Sequence, residues 1–382
     1  MRDDFLSVVC DGIGDCYKDL TRSVYDEGDI VVSRGLETKE IRPFVLILNK
    51  PQERFLMCPG RKANIFFQVL ESIWILGGRG DLEFISYYLK NMQAYADNKE
   101  EFHAPYGIRM RHVGKHREMY YDSYGFHDQL KHCYEYLKKD PDTRHAVMSF
   151  WDPVFDNYQV KTNDRPCNIA FHLLIRDGKL DFTIFNRSND LHWGLANTNV
   201  VQFSVILEAM GMLLSIPVGN QIHISNSLHY YTDSLLTKSV LDAEYEFNPY
   251  EHIEPLPFEM EFKTEDRLAD LDEELELFFK LEDKIRKGTD EESDIDLSFN
   301  FLQIALILSR SFKAYKEENY RKAYSYIERI EADDIFVSAT EFLVRKITED
   351  LLRDEISVTV KARFQKLLDE EIKQIIHFIF NH

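Results

Sequence analysis

The sequence predicts an α+β fold in which a large mixed sheet is covered by helices and followed by an all-helical C-terminal extension. Up to about residue 260, apolar runs long enough for buried helices alternate with short strand-like runs. The composition then changes, because all 11 prolines and all 3 tryptophans precede this point and Gly288 is the only glycine after it. We therefore predict a first domain over residues 1–262 and a helical extension over residues 263–382.

The first domain alternates predicted helices with predicted strands. Apolar periodicity predicts helices over residues 63–78, 125–143 and 198–219, the first of which ends at Gly77-Gly78. Strands are predicted over residues 144–151 and 220–231, on either side of a hairpin that begins near residue 167. This order of elements is typical of a sheet with helices packed on it.

The extension carries leucines at helical spacing and few turn residues. Helices are predicted over residues 265–287, 297–316, 319–330 and 357–380, with room for a fifth. Between the first two, "GTDEESD" is a loop whose Asp294 can cap the following helix. A helical bundle with a solvated acidic face is the simplest interpretation.

The composition excludes several classes of function. The chain has 382 residues and a formal net charge of −20, which disfavours nonspecific contact with nucleic acid or an anionic membrane surface. We expect no membrane span and no signal peptide, and hence a cytoplasmic protein. The 5 cysteines are widely spaced and odd in number, so no disulfide framework is expected. We expect no metal site either, because His112 and His116 flank a glycine and no third ligand is evident.

The hairpin is the most informative local signal. Asp177-Gly178 between two alternating runs predicts a type I′ turn, which places Arg176 opposite Lys179. Continuing that register pairs Cys167 with Ser188, so a thiol, a hydroxyl and the nearby Arg187 and Asp190 meet at one end of the sheet.

This grouping indicates chemistry on an anionic substrate. An arginine favours the nucleophilic thiolate, and arginine with serine suits a phosphate. A nucleoside monophosphate held by Arg187 would lay its base over Cys167. The structural alternative is a buried cysteine and an arginine that pairs with an acid.

These residues resemble a known family. Pro-Cys at 166–167, the Asp-Gly-Lys-Leu hairpin, Arg-Ser-x-Asp at 187–190 and Gly-Leu at 194–195 resemble thymidylate synthases and the related pyrimidine-nucleotide hydroxymethylases. Further segments in matching order are "SRGLETKEIRPF", "VLESIWIL", "PYG", "DPDTRHAVMSFWDP" and "VGNQIHISNSLHYY". The resemblance covers roughly residues 20 to 262 and implies the family's large mixed sheet.

The resemblance also implies a role for each site residue. Cys167 would add to carbon 6 of a pyrimidine monophosphate, with Glu71, Tyr106 and Asp190 assisting the transfer of a one-carbon unit from methylene-tetrahydrofolate. The remaining candidates would bind the nucleotide: Arg34, Arg187 and Ser188 the phosphate, Arg144 the phosphate in the neighbouring subunit of a homodimer, His229 and Tyr231 the sugar, and Asn199 the base. The match to Asn199 needs a one-residue insertion, and without it Thr198 takes that place.

The product stays open at the level of sequence. Thymidylate synthase chemistry, with dUMP favoured as the substrate, is one hypothesis. A dUMP or dCMP hydroxymethylase is the second, because the family's closing tail has no counterpart after "EPLPFEMEF" and water would then reach the intermediate. A nucleotide-binding protein that has lost folate chemistry and uses its helical extension as an interaction module is the third. The sequence does not determine which partner the extension binds. Nor does it determine whether the sugar of the nucleotide is ribose or deoxyribose.

Overall fold

The computed structural model describes residues 6–58, 60–97, 102–114, 127–158, 161–162, 164–243, 248–292 and 297–353. Two sheets and a set of covering helices form the first part of the chain, and further helices follow residue 266. The predicted α+β class with C-terminal helices is therefore confirmed.

The strands build a six-stranded sheet and a four-stranded sheet. The larger has the order β1-β4-β9-β7-β6-β5 and the smaller the order β2-β3-β10-β8. The strands are β1 (Leu6–Cys10), β2 (Asp29–Ser33), β3 (Leu36–Ile41), β4 (Phe44–Leu48), β5 (Val147–Ser149), β6 (Asn168–Arg176), β7 (Lys179–Asn186), β8 (Asn189–Asp190), β9 (Val218–Ser225) and β10 (Leu228–Tyr231).

The helices cover one face of the larger sheet and continue into the extension. A π-helix, Leu191–Asn199, leads directly into α7. The α-helices are α1 (Tyr17–Glu27), α2 (Ile65–Leu76), α3 (Leu82–Tyr88), α4 (Tyr106–Arg111), α5 (Gln129–Lys139), α6 (Phe155–Tyr158), α7 (Val200–Leu214), α8 (Leu235–Leu241), α9 (Arg267–Lys287), α10 (Asn300–Lys316), α11 (Tyr320–Ile327) and α12 (Asp333–Arg353).

The hairpin forms as predicted at its turn but not at its open end. Asp177 and Gly178 have φ values of 51° and 73°, as a type I′ turn requires. The predicted pairing of Cys167 with Ser188 is wrong by one residue, because the register shifts between Asn168 and Ala170. The N–H of Arg187 donates to the Cys167 carbonyl over 2.9 Å, so Arg187 lies opposite the thiol.

The extra residue in this bulge is held by a neighbouring segment. The carbonyl of Ile169 accepts N–H groups from Phe150 and Trp151 over 2.8 and 3.1 Å. These bonds occupy the Ile169 carbonyl and end the regular ladder there.

The larger sheet has one covered face and one open face. Phe171, Leu173, Phe182 and Ile184 are fully buried under the helices. The open face carries half-buried or exposed apolar side chains, which are Val45, Ile47, Val147, Leu174, Phe185, Ile222 and Ile224. An apolar sheet face of this kind is a surface suited to burial by a partner.

The extension packs into the same hydrophobic cluster as α2. Phe66 on α2 contacts Phe312 on α10 and Phe342 on α12, with ring centroids 5.3 and 5.0 Å apart. Arg111 joins the two regions as well, because its guanidinium bonds the Leu76 carbonyl at the end of α2 and the Asp272 carboxylate on α9. The extension therefore supports the helix that carries Glu71.

Three extension helices agree with the predicted segments. The segments at 265–287, 297–316 and 319–330 correspond to α9, α10 and α11. Helix α12 lies in a stretch for which no helix bounds were predicted from the sequence. The proposed cap Asp294 and the predicted helix over 357–380 lie outside the described residues.

Phe312→Ala tests whether the extension and α2 share one folding unit. Loss of a buried ring between Phe66 and Phe342 should lower the free energy of unfolding by about 3–5 kcal/mol. The measurement is urea unfolding followed by two spectroscopic probes, with the exposed Lys280→Ala on α9 as the control, expected within about 0.5 kcal/mol of wild type. Two separate transitions, of which only one moves in Phe312→Ala, would contradict a shared unit.

Candidate active site

The thiol of Cys167 lies just before β6 and is fixed by two elements. The N–H groups of Cys167 and Asn168 both donate to the Tyr106 hydroxyl oxygen at the start of α4, over 3.0 and 3.3 Å. The Arg187 guanidinium donates to the carbonyls of Pro166 and Arg165, which brings Nη2 to 3.9 Å from Sγ. The predicted pairing of thiol and guanidinium is present, and Tyr106 holds the backbone of the nucleophile.

Burial and charge act on the Cys167 thiol in opposite directions. Burial raises the pKa of the thiol above its ordinary value, and the guanidinium of Arg187 acts to lower it. Burial has the larger effect, so the neutral thiol is favoured before substrate binds. Arg187 therefore acts on the pKa of the thiol in the expected direction, but it does not make the thiolate the favoured form.

The predicted phosphate and sugar residues meet at the edge of the smaller sheet. Arg34 occupies the β2–β3 turn and its Nη2 donates to the Tyr231 hydroxyl over 3.4 Å. Ser188 lies in the link between β7 and β8, directly after Arg187. The positive charge of Arg34 also acts to lower the pKa of the Cys167 thiol, although burial outweighs it. The phosphate roles of these side chains stay predictions.

Asp190 and His229 are neighbours on adjacent parallel strands, β8 and β10. The Asp190 carboxylate accepts N–H groups from His192 and Trp193 over 2.8 and 2.6 Å, and so caps the π-helix. Burial raises the pKa of Asp190, while the bond from Trp193 favours its ionised form. Asp190 therefore has a structural duty as a helix cap beside its predicted role near folate.

Glu71 projects from the buried helix α2 toward α7. Its carboxylate accepts a hydrogen bond from the Gln202 side-chain amide. Burial raises the pKa of Glu71 from 4.5 to about 8, although Gln202 acts to lower it. A carboxyl group that stays protonated near neutral pH can donate a proton and accept it again, which suits the predicted transfers.

The structure contains a feature that can hold the one-residue insertion needed to match Asn199 to the family. Residues 191–199 form a π-helix, whose wider turns hold an extra residue relative to an α-helix. The Asn199 amide donates to Asn189 Oδ1 over 3.1 Å, whereas the Thr198 hydroxyl bonds carbonyls of its own helix. A Cβ at Gly194 would lie 2.8 Å from Asn189 Oδ1, so a larger residue there would displace the Asn189 side chain. The role of Asn199 in binding the base stays a prediction.

Arg144 is the one predicted site residue that lies apart from the others. It is exposed and precedes β5, whose Val147 pairs with His172. Arg176, near the hairpin turn, donates to the Asp142 carbonyl over 3.4 Å. The Arg144 backbone bonds the His172 side chain, which lies five residues along β6 from Cys167, or about 17 Å at about 3.3 Å per residue. Arg144 therefore lies well apart from Cys167 within this chain.

An aromatic stack beside Asp190 was missed at the level of sequence. Trp193 lies between Phe67 and Tyr95, with ring centroids 5.7 and 6.4 Å away and interplanar angles of 29° and 15°. Tyr95 and Trp193 are 46% and 37% exposed, which is unusual for stacked aromatic rings. A planar ligand beside Asp190 would find a ready surface here. No motif or spacing in the sequence marks Tyr95 and Trp193 as a pair, because they lie far apart in the chain.

The described residues hold no group of three or more His, Cys, Asp or Glu side chains that could bind a metal. His116 lies outside them. All five cysteines are free thiols. Among the described helices, none has the length and apolar character needed to span a bilayer.

Comparison with known proteins agrees with this geometry. A family model described as thymidylate synthase matches residues 15–272, which is more than half of the chain. The chain belongs to the thymidylate synthase family. The resemblance drawn from the sequence is confirmed, and the family's one-carbon donor is methylene-tetrahydrofolate.

Three similar family members share one name. A deoxyuridylate hydroxymethyltransferase of Bacillus phage SP01 is 44% identical over 228 residues, covering 60% of this chain and 59% of that protein. One of Pseudomonas phage M6 is 30% identical over 313 residues, or 80% and 84% of the two chains. One of Delftia phage PhiW-14 is 30% identical over 194 residues, or 48% and 50%. The chain thus aligns with about half to four-fifths of these relatives.

The raised pKa of Glu71 predicts a pH dependence of stability. Because the folded protein holds this proton more tightly than the unfolded chain, the free energy of unfolding should fall as the pH rises from about 5 to about 8. Glu71→Gln has no proton to lose, so its stability relative to wild type should rise over this range. Urea unfolding at several pH values measures this difference. The exposed Glu276→Gln on α9 is the control, and a constant difference for Glu71→Gln would contradict the raised pKa.

Proposed function

We propose that this protein is a deoxyuridylate hydroxymethyltransferase, which adds a hydroxymethyl group to carbon 5 of dUMP through a covalent adduct with Cys167. The observation that carries the proposal is the Cys167–Arg187 pair at the bulged end of the hairpin, in a chain of the thymidylate synthase family. The names of the three relatives favour the hydroxymethyl product over the methyl product. The sequence left the two products open, and these names favour the second hypothesis.

The end of the family domain also supports water as a reactant. The segment "EPLPFEMEF" leads into the extension, where Met260 pairs with Phe299 and Phe258 packs on Phe301 with ring centroids 4.5 Å apart. This segment therefore packs against the helical extension. This packing supports the hypothesis that water reaches the intermediate.

The side chains would act in sequence around the pyrimidine ring. Arg187, Ser188 and Arg34 hold the phosphate, and Asn199 presents an amide to the N–H and carbonyl of uracil. The Cys167 thiol gives its proton to solvent, Sγ bonds carbon 6, and the electron pair of the 5,6 double bond moves toward carbon 5 and the adjoining carbonyl oxygen. Glu71 is protonated below about pH 8. It donates a proton to the ring carbonyl oxygen next to carbon 5 and accepts a proton in a later step.

The residues around Asp190 fit a folate. The partly exposed rings of Tyr95 and Trp193 suit contact with a flat pterin ring, and the Asp190 carboxylate accepts the Trp193 N–H beside them. Methylene-tetrahydrofolate, when bound there, supplies the one-carbon unit.

We further propose a homodimer that closes through the open face of the larger sheet. Its apolar side chains, of which Val147 is 48% and Phe185 37% exposed, provide the surface to be buried. Arg144 then serves the phosphate of the neighbouring subunit, which agrees with its distance from Cys167 of its own chain. The catalytic domain of residues 1–262 and the extension of 263–382 stay the proposed division of the chain.

Product analysis tests the reaction. With dUMP and methylene-tetrahydrofolate, the product should be one oxygen atom heavier than thymidylate by mass, and tritium should leave ring carbon 5 of labelled dUMP. Cys167→Ala should bind dUMP yet lose turnover by at least about 10⁴-fold, because no adduct forms. Thymidylate as the main product would support the methyl alternative. Tight dUMP binding without tritium release in wild type would support a nucleotide-binding protein.

Subunit mixing tests the role of Arg144. Arg144→Ala and Cys167→Ala homodimers should each be strongly impaired. In a mixed dimer, the Arg144→Ala subunit keeps its own Cys167 and receives Arg144 from its neighbour, so one site of two is intact. After equimolar mixing and full subunit exchange, about half of the dimers are mixed, so activity should return toward about a quarter of wild type. Failure of the mixture to gain activity, when mass analysis shows mixed dimers, would remove Arg144 from the partner site.

A further inference from the structure

Strand β9 turns its polar side chains inward, which is the reverse of an ordinary half-buried strand. Gln221, His223 and Ser225 are fully buried on the covered face of the sheet. Ile222 and Ile224 lie on the open face and are half-buried. A strand packed on helices normally places its apolar residues inward. The inward polar row therefore needs a physical explanation of its own.

Each end of this row is hydrogen-bonded to a group close to a candidate catalytic side chain. Next to Cys167, the Asn168 amide bonds the Asn186 amide, which donates to Ser225 Oγ over 3.4 Å. At the other end of the row, Gln221 donates to the Val200 carbonyl over 3.2 Å at the start of α7. Two residues further along α7, Gln202 bonds Glu71. We call the set Asn168, Asn186, Ser225, His223, Gln221 and Gln202 the polar seam.

Four atoms of the polar seam are buried without a hydrogen-bond partner among the described residues. They are Asn168 Oδ1, Gln202 Oε1, Gln221 Oε1 and His223 Nδ1. Each unmet bond destabilises the fold when nothing replaces the lost water. Burial lowers the pKa of His223 to about 3, so the ring is neutral and protonation does not relieve it. Bound water is the usual partner of such groups.

We propose that the polar seam holds a row of bound water molecules, and that this water is the oxygen source for the hydroxymethyl product. The inference rests on the proposed function and specifies where its water comes from. One end of the row is linked through Asn186 to the residue after Cys167, and the other end bonds the start of α7, whose Gln202 bonds Glu71, so the row extends toward both catalytic side chains. Water that enters the mouth of the site refills the row after each turnover.

The water step balances in atoms and electrons. After the one-carbon unit from methylene-tetrahydrofolate is joined to carbon 5 and tetrahydrofolate has left, carbon 5 carries an exocyclic methylene and carbon 6 still holds Sγ. A seam water bonds the methylene carbon through its oxygen and gives one proton to the Glu71 carboxylate. The methylene electron pair restores the 5,6 double bond, and the bond from carbon 6 to sulfur breaks to release the Cys167 thiolate.

A crystal structure of the wild-type enzyme tests the first half of the proposal. Ordered water should bridge His223 Nδ1 and the unpaired oxygens of Gln202, Gln221 and Asn168. A dry seam, or side chains that satisfy these atoms directly, would overturn the proposal whatever the enzyme's activity. This readout needs no variant and so does not depend on any substitution being tolerated.

Single-turnover kinetics of a Gln221→Met, His223→Leu variant test the second half. The variant replaces polar partners of water with apolar groups of similar size. Tritium release from carbon 5 precedes the water step and should keep its wild-type rate. Formation of the hydroxymethyl product should slow by about tenfold, which corresponds to about 1.4 kcal/mol. His223→Gln, which keeps a polar group, should restore most of the rate in place of His223→Leu.

Thr340→Val on α12 is the matched control, because its buried hydroxyl also lacks a partner among the described residues but lies in the extension. It should leave both rates unchanged. Equal rates of tritium release and product formation in the seam variant would overturn the water proposal alone. Product formation by Cys167→Ala would instead overturn the proposed function. If the seam variant does not fold, water at the four wild-type atoms decides the question.

Discussion

The register shift between β6 and β7 is the constraint on which the site depends. Two N–H groups from residues 150 and 151 hold the Ile169 carbonyl, so the regular hairpin pairing ends there. Arg187 instead of Ser188 comes to lie opposite Cys167, and its guanidinium bonds the carbonyls of the two residues before the thiol. The cation is thereby fixed by backbone atoms rather than by an acid, and its charge remains available to a phosphate.

Strand β9 couples assembly to chemistry through its two faces. Its outward isoleucines contribute to the open apolar face, which we assign to a subunit partner. Its inward polar side chains belong to the polar seam, to which we assign the reacting water. Because side chains alternate strictly along a strand, a one-residue slip would place polar groups in the interface and isoleucines in the seam. The proposed subunit contact and the proposed polar seam therefore require the same register of β9 in the sheet.

The helical extension bears on the site through α2. Tyr88, which follows α2 in the chain, donates to Glu282 on α9 over 2.7 Å and to Ser309 on α10 over 3.2 Å. Phe66 packs against two extension helices, one turn before Glu71 along the same helix. The extension is thus part of the packing that positions a buried acid. Its acidic outer face, rather than its core, is the part free to meet a partner.

The sequence by itself determined the order of elements, the helical extension, the type I′ turn and the clustering of Cys167, Arg187 and Asp190. These follow from local patterns, since glycine conformation, apolar periodicity and residue spacing act over short stretches of chain. Only the tertiary structure decided the bulge at Ile169, the stack of Tyr95 on Trp193 and the distance of Arg144 from the thiol. It also decided which face of β9 is buried, because alternation shows that a strand has two faces but not which one meets the helices. Each of these depends on contacts between residues far apart in the chain, and no local pattern encodes such contacts.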